Sequence, residues 1–370
     1  MTKGYEVEVD AVVLRSPERP MTVERIRLRD VGPGDIRVRI DATGVCHSDL
    51  SLARGVLAQP LPAVLGHEAC GTVVETGPDV AGLRVGDRVI LLWITPCGDC
   101  IHCGRGESHL CVNGSARGGE PYALDSSAEP VYPGLTVGSF AEQTVVPAAA
   151  AVKVPDDISS ADAALLGCAV TTGVGAVTKT AAVTPGSSVL VLGLGGVGLA
   201  AIQGAKLAGA ERIIAVDRNT DKAGLATKLG ADHFVPADDD TKKVVRGLTA
   251  KQGVDFAFDC VGSARTIRDA WGMTRRGGST CVVGIGGKDD TVTFSALELF
   301  HFARTLVGCV AGSLDAVHDL PRYFDHVRSG NLDLTSMVTG HGRLSDVEPA
   351  LREMSAGRGI RTLVAPGEAS

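Results

Sequence analysis

Long basic runs, long apolar runs and aromatic residues are all scarce in this chain. The formal charge is −7 and no long basic run occurs, so nucleic acid and anionic membrane surfaces are excluded as expected partners. No stretch reaches the ~18 uninterrupted apolar residues that a membrane-spanning helix requires. Met1 to Asp10 is charged and has no apolar core of signal-peptide length, so the expectation is a cytoplasmic protein. Aromatic residues make up 4% of the chain, which points to a pocket lined mainly by aliphatic side chains.

What is present reads as an ordinary globular chain. The 370 residues, 44% hydrophobic and 21% charged, suffice for two domains with cores of their own. The 47 glycines suit an α/β protein with many tight strand-to-helix turns. Val7 to Leu14, Thr22 to Leu28 and Ile36 to Ala42 are short β-branched runs, some of them alternating, with Pro33-Gly34 as a turn between two of them. Asp87 to Leu92 and Gln143 to Val146 read as further strands. The stretch from 112 to 135 contains Gly, Ser and Pro and reads as an irregular surface loop.

Ten cysteines in a cytosolic chain point first to metals rather than disulfides. Cys97, Cys100, Cys103 and Cys111 follow a Cys-x2-Cys-x2-Cys-x7-Cys pattern. Four thiolates so close in sequence can wrap one tetrahedral ion completely, which describes a structural zinc site. An iron–sulfur run has a different last spacing and a proline after the final cysteine; here Val112 follows Cys111. His102 and His109 are left to solvent, because four sulfurs complete the shell. The lobe holds few apolar residues and is expected to need its metal to keep its shape.

A second metal set is spread along the chain. Cys46 lies in Gly44-Val45-Cys46-His47-Ser48-Asp49, a turn after a strand. His67 lies in Leu65-Gly66-His67-Glu68-Ala69-Cys70-Gly71, where small residues and the following strand argue for a packed position. Cys168 ends Leu166-Gly167-Cys168. Two thiolates and one imidazole make a zinc site with its fourth position open, the mark of a catalytic rather than a structural ion. The other four cysteines, Cys70, Cys260, Cys281 and Cys309, read as small buried hydrophobes.

From residue 187 the pattern changes to strands alternating with amphipathic helices. The expected strands are Ser188 to Leu192, Arg212 to Val216, His233 to Val235, Val254 to Phe258, Ser279 to Val283 and Thr305 to Val310. This spacing implies βαβ units and a parallel sheet. The first strand runs into Gly193-Leu194-Gly195-Gly196-Val197-Gly198, and Asp217 answers it at the end of the next. A Gly-x-Gly-x-x-Gly turn between a buried strand and a helix, with an acidic residue at that distance, is a dinucleotide fingerprint. The glycines let backbone approach the pyrophosphate at a helix N-terminus. Asp217 can accept both ribose hydroxyls and repels a 2′-phosphate, so NAD is expected over NADP, although the neighbouring Arg218 could tolerate the phosphate. The last sixty residues, with a helix over Leu320 to Arg328 and a strand over Thr362 to Val364, are too few for a domain of their own and are expected to return to the N-terminal one.

Together these motifs resemble the zinc-dependent medium-chain alcohol dehydrogenases, and the likeness runs over nearly the whole chain. It implies a β-rich GroES-like catalytic domain (residues 1–169, with the zinc lobe 97–111), a six-stranded doubly wound Rossmann domain (170–308) and a return to the catalytic domain (309–370). It implies two zinc ions, with Cys46, His67 and Cys168 as catalytic ligands and Cys97, Cys100, Cys103 and Cys111 as structural ones. Asp49 matches the carboxylate behind the His67 ring, and Glu68 a neighbour able to approach the metal. Ser48 matches the hydroxyl that takes the alcohol proton. His47 and Arg361 match cofactor phosphate contacts and Lys222 an adenosine-ribose contact. Thr172 and Val283 match further cofactor contacts. Trp93 matches the wall of the substrate pocket. The longer loop after Cys111 resembles that of the dimeric members, so a homodimer is expected.

The resemblance implies reversible, NAD-linked oxidation of a small alcohol to an aldehyde or ketone by hydride transfer. One position departs from it. The family's relay ends in a histidine three residues after the serine, and here Ser51 stands there, so His47, water or the cofactor ribose must pass the proton on. Other readings are oxidation of a thiol–formaldehyde adduct, a carbonyl or conjugated-bond reductase, and a non-catalytic zinc and nucleotide-binding protein. The adduct reading calls for a basic residue soon after the last lobe cysteine, and the first is Arg117.

Overall fold

The computed structural model describes residues 4–17 and 19–367; the first three residues of the charged N-terminal stretch lie outside it. The chain forms two compact units. One takes the residues up to Cys168, Asp315–Ser329 and the chain from Val338 onward, and the other takes Ala169–Leu314 and Gly330–Met337.

In the first unit, Val7–Leu14 and Thr22–Leu28 pair antiparallel, with Val9 opposite Ile26 and Val13 opposite Thr22. Val9, Ala11, Ile26 and Leu28 are buried on the inward face, and from Ala11 to Leu14 the first strand is buried on both faces. A closed barrel is completed by Ala63–Val64, Ala123–Leu124 and Pro130–Pro133. The reading of 112–135 as irregular loop is therefore corrected: two strands from it close the barrel, and Tyr122, Ala123 and Val131 are buried. Runs of two and four residues are too short to show a period of two, and the prolines at both ends of Pro130–Pro133 read as breakers.

A second sheet in this unit positions the site. Asp35–Gly44 pairs antiparallel with Glu68–Thr76, and Gly44 stands opposite Glu68. The chain leaving the first strand toward Cys46 thus lies beside the chain entering the second through His67. Arg361–Val364 joins on the other side, with Leu363 opposite Gly44. Cys168 follows the helix Ser160–Leu166, whose start is capped by Ser159 Oγ accepting the Asp162 N–H at 3.0 Å. A Cβ on Gly167 would stand 3.3 Å from Leu91 O and 3.4 Å from Ala69 N, so the turn carrying Cys168 packs directly on the strands that follow His67.

The second unit is a six-stranded sheet with every pairing parallel: β1 (Ser188–Leu192), β2 (Arg212–Asp217), β3 (His233–Pro236), β4 (Val254–Asp259), β5 (Thr274–Val282) and β6 (Thr305–Gly308), in the order 3-2-1-4-5-6. This is the doubly wound arrangement expected, in which strand order reverses between β1 and β4. β5 begins at Thr274, earlier than the sequence suggested, and β6 ends at Gly308. The unit extends to Leu314, past the boundary expected at 308, and takes back Gly330–Met337. Gln203, buried in the helix Gly196–Leu207, holds that return: its Oε1 accepts the Asp333 N–H at 2.7 Å and its Nε2 reaches Asp333 O at 3.4 Å. No single helix among the described residues is long and apolar enough to cross a membrane.

Candidate metal and cofactor sites

Cys46, His67 and Cys168 come together as the sequence suggested. Their ligand atoms all lie within 4.8 Å of one another, and all three residues are buried. Cys46 caps the helix His47–Ala53, whose third residue is Asp49. One carboxylate then organises both halves of the cluster. Asp49 Oδ2 accepts the Cys46 N–H at 3.0 Å, and Oδ1 accepts the Gly66 N–H and bonds His67 Nδ1, each at 3.0 Å. With Nδ1 so engaged, His67 Nε2 is buried and makes no hydrogen bond among the described residues. A buried imidazole nitrogen aimed at two thiols, with no proton partner of its own, fits a metal ligand, and the two-sulfur, one-nitrogen donor set fits zinc. Gly66 is needed here. Its φ is +90°, and a Cβ would stand 2.6 Å from Ser139 Oγ and 2.7 Å from the Phe140 amide nitrogen.

The electrostatics favour an anionic sulfur at this point. The Cys168 thiol holds Cys46 well below the ordinary thiol range against the cost of burying it, and Arg361 adds its positive charge. Burial works against charge on the His67 ring, but the Asp49 carboxylate outweighs it and raises the ring's basicity, which makes a better electron donor. Asp49→Asn keeps the size and loses the charge, and turns an amide N–H2 toward one of three donors. The expected result is a catalytic-site zinc affinity lower by about 10- to 100-fold, read by competition against a chromogenic chelator. An unchanged affinity would reject this role for Asp49.

The four-cysteine lobe is equally well formed. Cys97 Sγ lies 4.0 Å from Cys103 Sγ, and Cys100 Sγ lies 4.0 Å from Cys111 Sγ. A tetrahedron with zinc–sulfur bonds of about 2.3 Å has sulfurs about 3.8 Å apart, whereas a disulfide needs about 2 Å. Backbone N–H groups of Cys103 and Val112 pull Cys100 down to about 6. His102 is engaged outside the cluster, its Nδ1 2.9 Å from Glu107 Oε2.

The remaining expected residues fall in several places. Ser48 is half-exposed, its Oγ 3.9 Å from Cys46 Sγ, and His47 is exposed at the start of the same helix. Ser51 is half-buried one turn on. Trp93 packs against the apolar cluster around Ile36, Val38 and Leu91. Glu68 is fully buried, and Arg361, expected at the cofactor phosphates, is buried beside it, Nε 3.1 Å from Glu68 Oε2 and Nη2 3.5 Å from Cys46 Sγ. Gly44 makes room for that carboxylate, since a Cβ there would lie 2.8 Å from Glu68 Oε2. Sequence reasoning missed both Arg361 at the metal cluster and the double duty of Asp49. The second was legible as a capping box with cysteine in the cap position; the first arises only from strand pairing.

In the second unit the glycine-rich turn is as expected. Gly193 has φ +94°, and a Cβ on Gly198 would stand 1.9 Å from Gly193 O, so the helix Gly196–Leu207 starts hard against the end of β1. Asp217 ends β2 and is tied to the turn: Oδ2 accepts the Leu194 N–H at 2.7 Å and lies 3.4 Å from Lys222 Nζ, while Oδ1 accepts the Asn219 N–H at 2.8 Å. Arg218 is exposed. Val197 and Thr172 are half-buried, and the Val283 N–H donates to Asp259 O at 2.8 Å. Two of the cysteines expected to be buried are not: Cys70 and Cys281 are, but Cys260 and Cys309 are half-exposed.

Comparison with known proteins agrees with this chemistry. Residues 32–156 match the alcohol dehydrogenase GroES-like domain, and residues 196–329 match the zinc-binding dehydrogenase model. An S-(hydroxymethyl)glutathione dehydrogenase of Photobacterium damsela subsp. piscicida is 35% identical over 364 residues, 96% of this chain and 98% of that one. An alcohol dehydrogenase zinc-binding domain protein from Burkholderia ambifaria has a similar structure, with TM-score 0.92 and 30% identity over 98% of this chain and all of the other. Benzyl alcohol dehydrogenase from Acinetobacter calcoaceticus gives 0.90 and 28% over the same shares. The chain belongs to the zinc-dependent medium-chain alcohol dehydrogenases: it is a zinc-containing alcohol dehydrogenase, an oxidoreductase of small-molecule alcohols and aldehydes.

Proposed function

We propose that Ser48 is the proton acceptor of this reaction, that Cys46, His67 and Cys168 hold the catalytic zinc, and that the enzyme works as a cytoplasmic homodimer on simple alcohols. The observation that carries the reading is the buried triad with His67 Nε2 left without a hydrogen bond. Zinc held there would supply the positive charge that polarises the substrate oxygen. The protein supplies the rest. Asp49 fixes the direction of the His67 ring and the backbone at Cys46. Ser48, half-exposed beside that cluster, takes the alcohol proton, and the exposed His47 or water carries it onward in place of the missing histidine at Ser51. Gly193, Gly195, Gly196, Val197 and Gly198 would hold the dinucleotide through backbone, and its nicotinamide would supply the hydride acceptor. The Asp217 carboxylate, already fastened to that turn, favours an unphosphorylated ribose, hence NAD.

A homodimer is supported by two features of the second unit. β6 is at the end of its sheet, and an unpaired strand edge invites a second copy. The neighbouring helix Ala296–Phe302 exposes Leu297 and Phe300, at 72% and 82%. Ten cysteines, none of them in a disulfide, suit a reducing compartment.

A second reading, oxidation of an S-hydroxymethyl thiol adduct, is favoured by the name of the 35% identical relative. Arg117 speaks against it as the grip for a thiol's carboxylate, because its guanidinium is committed to Asp35 at 3.4 Å and Glu120 at 2.9 Å. NADH formation at 340 nm is measured with primary, secondary, allylic and aromatic alcohols, and with formaldehyde with and without low-molecular-weight thiols. Turnover on alcohols alone is the expected result. Turnover only when formaldehyde and a thiol are both present would replace the first reading by the second.

A further inference from the structure

Three thiols that neither metal cluster uses lie near one another at the C-terminal end of the second unit's sheet. Cys281, in β5, stands opposite Phe258 of β4 and Val307 of β6. Cys260 and Cys309 come directly after the ends of β4 and β6 and carry the ladder one step further, their N–H groups donating to Leu192 O at 2.8 Å and Val282 O at 2.9 Å, which leaves both beside Cys281. All three are free, Cys281 is buried, and the other two are half-exposed.

The sulfur of Cys309 has surroundings the other two lack. Thr180 Oγ1 donates to Cys309 Sγ at 3.3 Å and lies 2.7 Å from Ser313 Oγ. The next turn, Ala311-Gly312-Ser313, has φ of +47°, +66° and +52°, values that alanine and serine seldom adopt. Packing imposes them. A Cβ on Gly312 would stand 2.2 Å from Thr171 O, and one on Gly175 would stand 2.2 Å from Gly312 O, so the turn is wedged against the helix Ala169–Gly175. The wedge sets the backbone amides of Gly312 and Ser313 near the Cys309 sulfur, with the Ser313 N–H donating to Val310 O at 2.9 Å. Donors around a sulfur favour its thiolate. The Cys281 thiol, with the Thr180 hydroxyl and these N–H groups, brings Cys309 down to about 7 against partial burial. The same pairing pushes Cys281 up, so that it keeps its proton.

We propose that Cys309 and Cys281 form a peroxide-reactive dithiol, with Cys309 as the attacking sulfur and Cys281 as the thiol that resolves it. The Cys309 thiolate attacks the terminal oxygen of a hydroperoxide. A sulfur–oxygen bond forms as the oxygen–oxygen bond breaks, and the departing oxygen takes a proton to leave as water or an alcohol. Two electrons pass from sulfur to the peroxide, and Cys309 becomes a sulfenic acid. The Cys281 sulfur then attacks Cys309 sulfur, the sulfur–oxygen bond breaks, and the hydroxyl leaves as water with the Cys281 proton. A thiol reductant reverses the disulfide by exchange.

Zinc-loaded, full-length protein is treated at pH 7 with sub-stoichiometric to few-fold hydrogen peroxide. Thiols are mapped by peptide mass spectrometry while zinc release is followed with a chromogenic chelator. The expected result is a Cys281–Cys309 disulfide that forms before zinc is lost and disappears with dithiothreitol. In Cys281→Ser, dimedone is expected to trap Cys309 as its sulfenic acid. In untreated protein, iodoacetamide is expected to label Cys309 about tenfold faster than Cys260, which is half-exposed as well, at pH 7. Loss of zinc while Cys309 stays reduced overturns the proposal. So does dimedone trapping of Cys309 in the parent protein with no disulfide, and so do equal alkylation rates at the two cysteines, a readout that does not depend on activity or on any variant folding.

Discussion

Cys46→Ser is expected to give a folded protein holding one zinc ion per chain instead of two, with turnover lower by at least ~1000-fold. The fold should survive because Cys46 is the cap of the helix His47–Ala53, and serine is among the best residues at such a cap. It is also close in size to the buried cysteine it replaces. The metal should not survive, because a neutral hydroxyl is a poor zinc ligand, and only His67 and Cys168 would remain of the set of three. The lobe of Cys97, Cys100, Cys103 and Cys111 has its own complete shell, so it keeps its ion. The rate follows from the lost charge at the substrate oxygen, worth several kcal/mol, with each ~1.4 kcal/mol a factor of ten. Elemental analysis and NADH formation on the same sample check both halves. Two zinc ions retained, or turnover within tenfold of the parent, would remove Cys46 from the metal site.

Much of this was legible because the chemistry depends on residue types at short spacing. The four lobe cysteines lie so close in sequence that their convergence needs little from the rest of the fold. The glycine turn and Asp217 are likewise local to one strand–helix–strand unit. Cys46, His67 and Cys168 are far apart in sequence, and the pairing of Gly44 with Glu68 that joins the first two cannot be read from periodicity. Their assignment as ligands rested on residue types and on family likeness, and the geometry supplies the reason. What stayed hidden is of two kinds. Ala123–Leu124 and Pro130–Pro133 are too short to carry a pattern, so their place in the barrel depends on the neighbours that accept them. Arg361 and Cys309 owe their roles to contacts across sheet strands: Leu363 opposite Gly44 in one case, and Cys281 opposite Val307 in the other.

Arg361 gives the second large effect. The family likeness assigns it to a cofactor phosphate, yet its side chain is 4% exposed and its guanidinium stands between two anions, the carboxylate of Glu68 at 3.1 Å and the sulfur of Cys46 at 3.5 Å. Glu68 is fully buried. Removing one partner of a buried pair leaves the other charge uncompensated, at a cost of about 3–5 kcal/mol. Arg361→Met should therefore lower thermal stability strongly even without cofactor. Adding Glu68→Gln to it should restore at least half of the loss, because the stranded carboxylate is gone and only the sulfur still lacks its cation. This coupling is what separates neighbours in one network from independent sites. A duty confined to the phosphates predicts something else: weaker NAD binding, an almost unchanged melting temperature in Arg361→Met, and no rescue in the double variant. Melting curves of the four proteins, taken at one scan rate with and without NAD, decide between them. If the two losses simply add, the ion pair with Glu68 is not what holds Arg361 inside this domain.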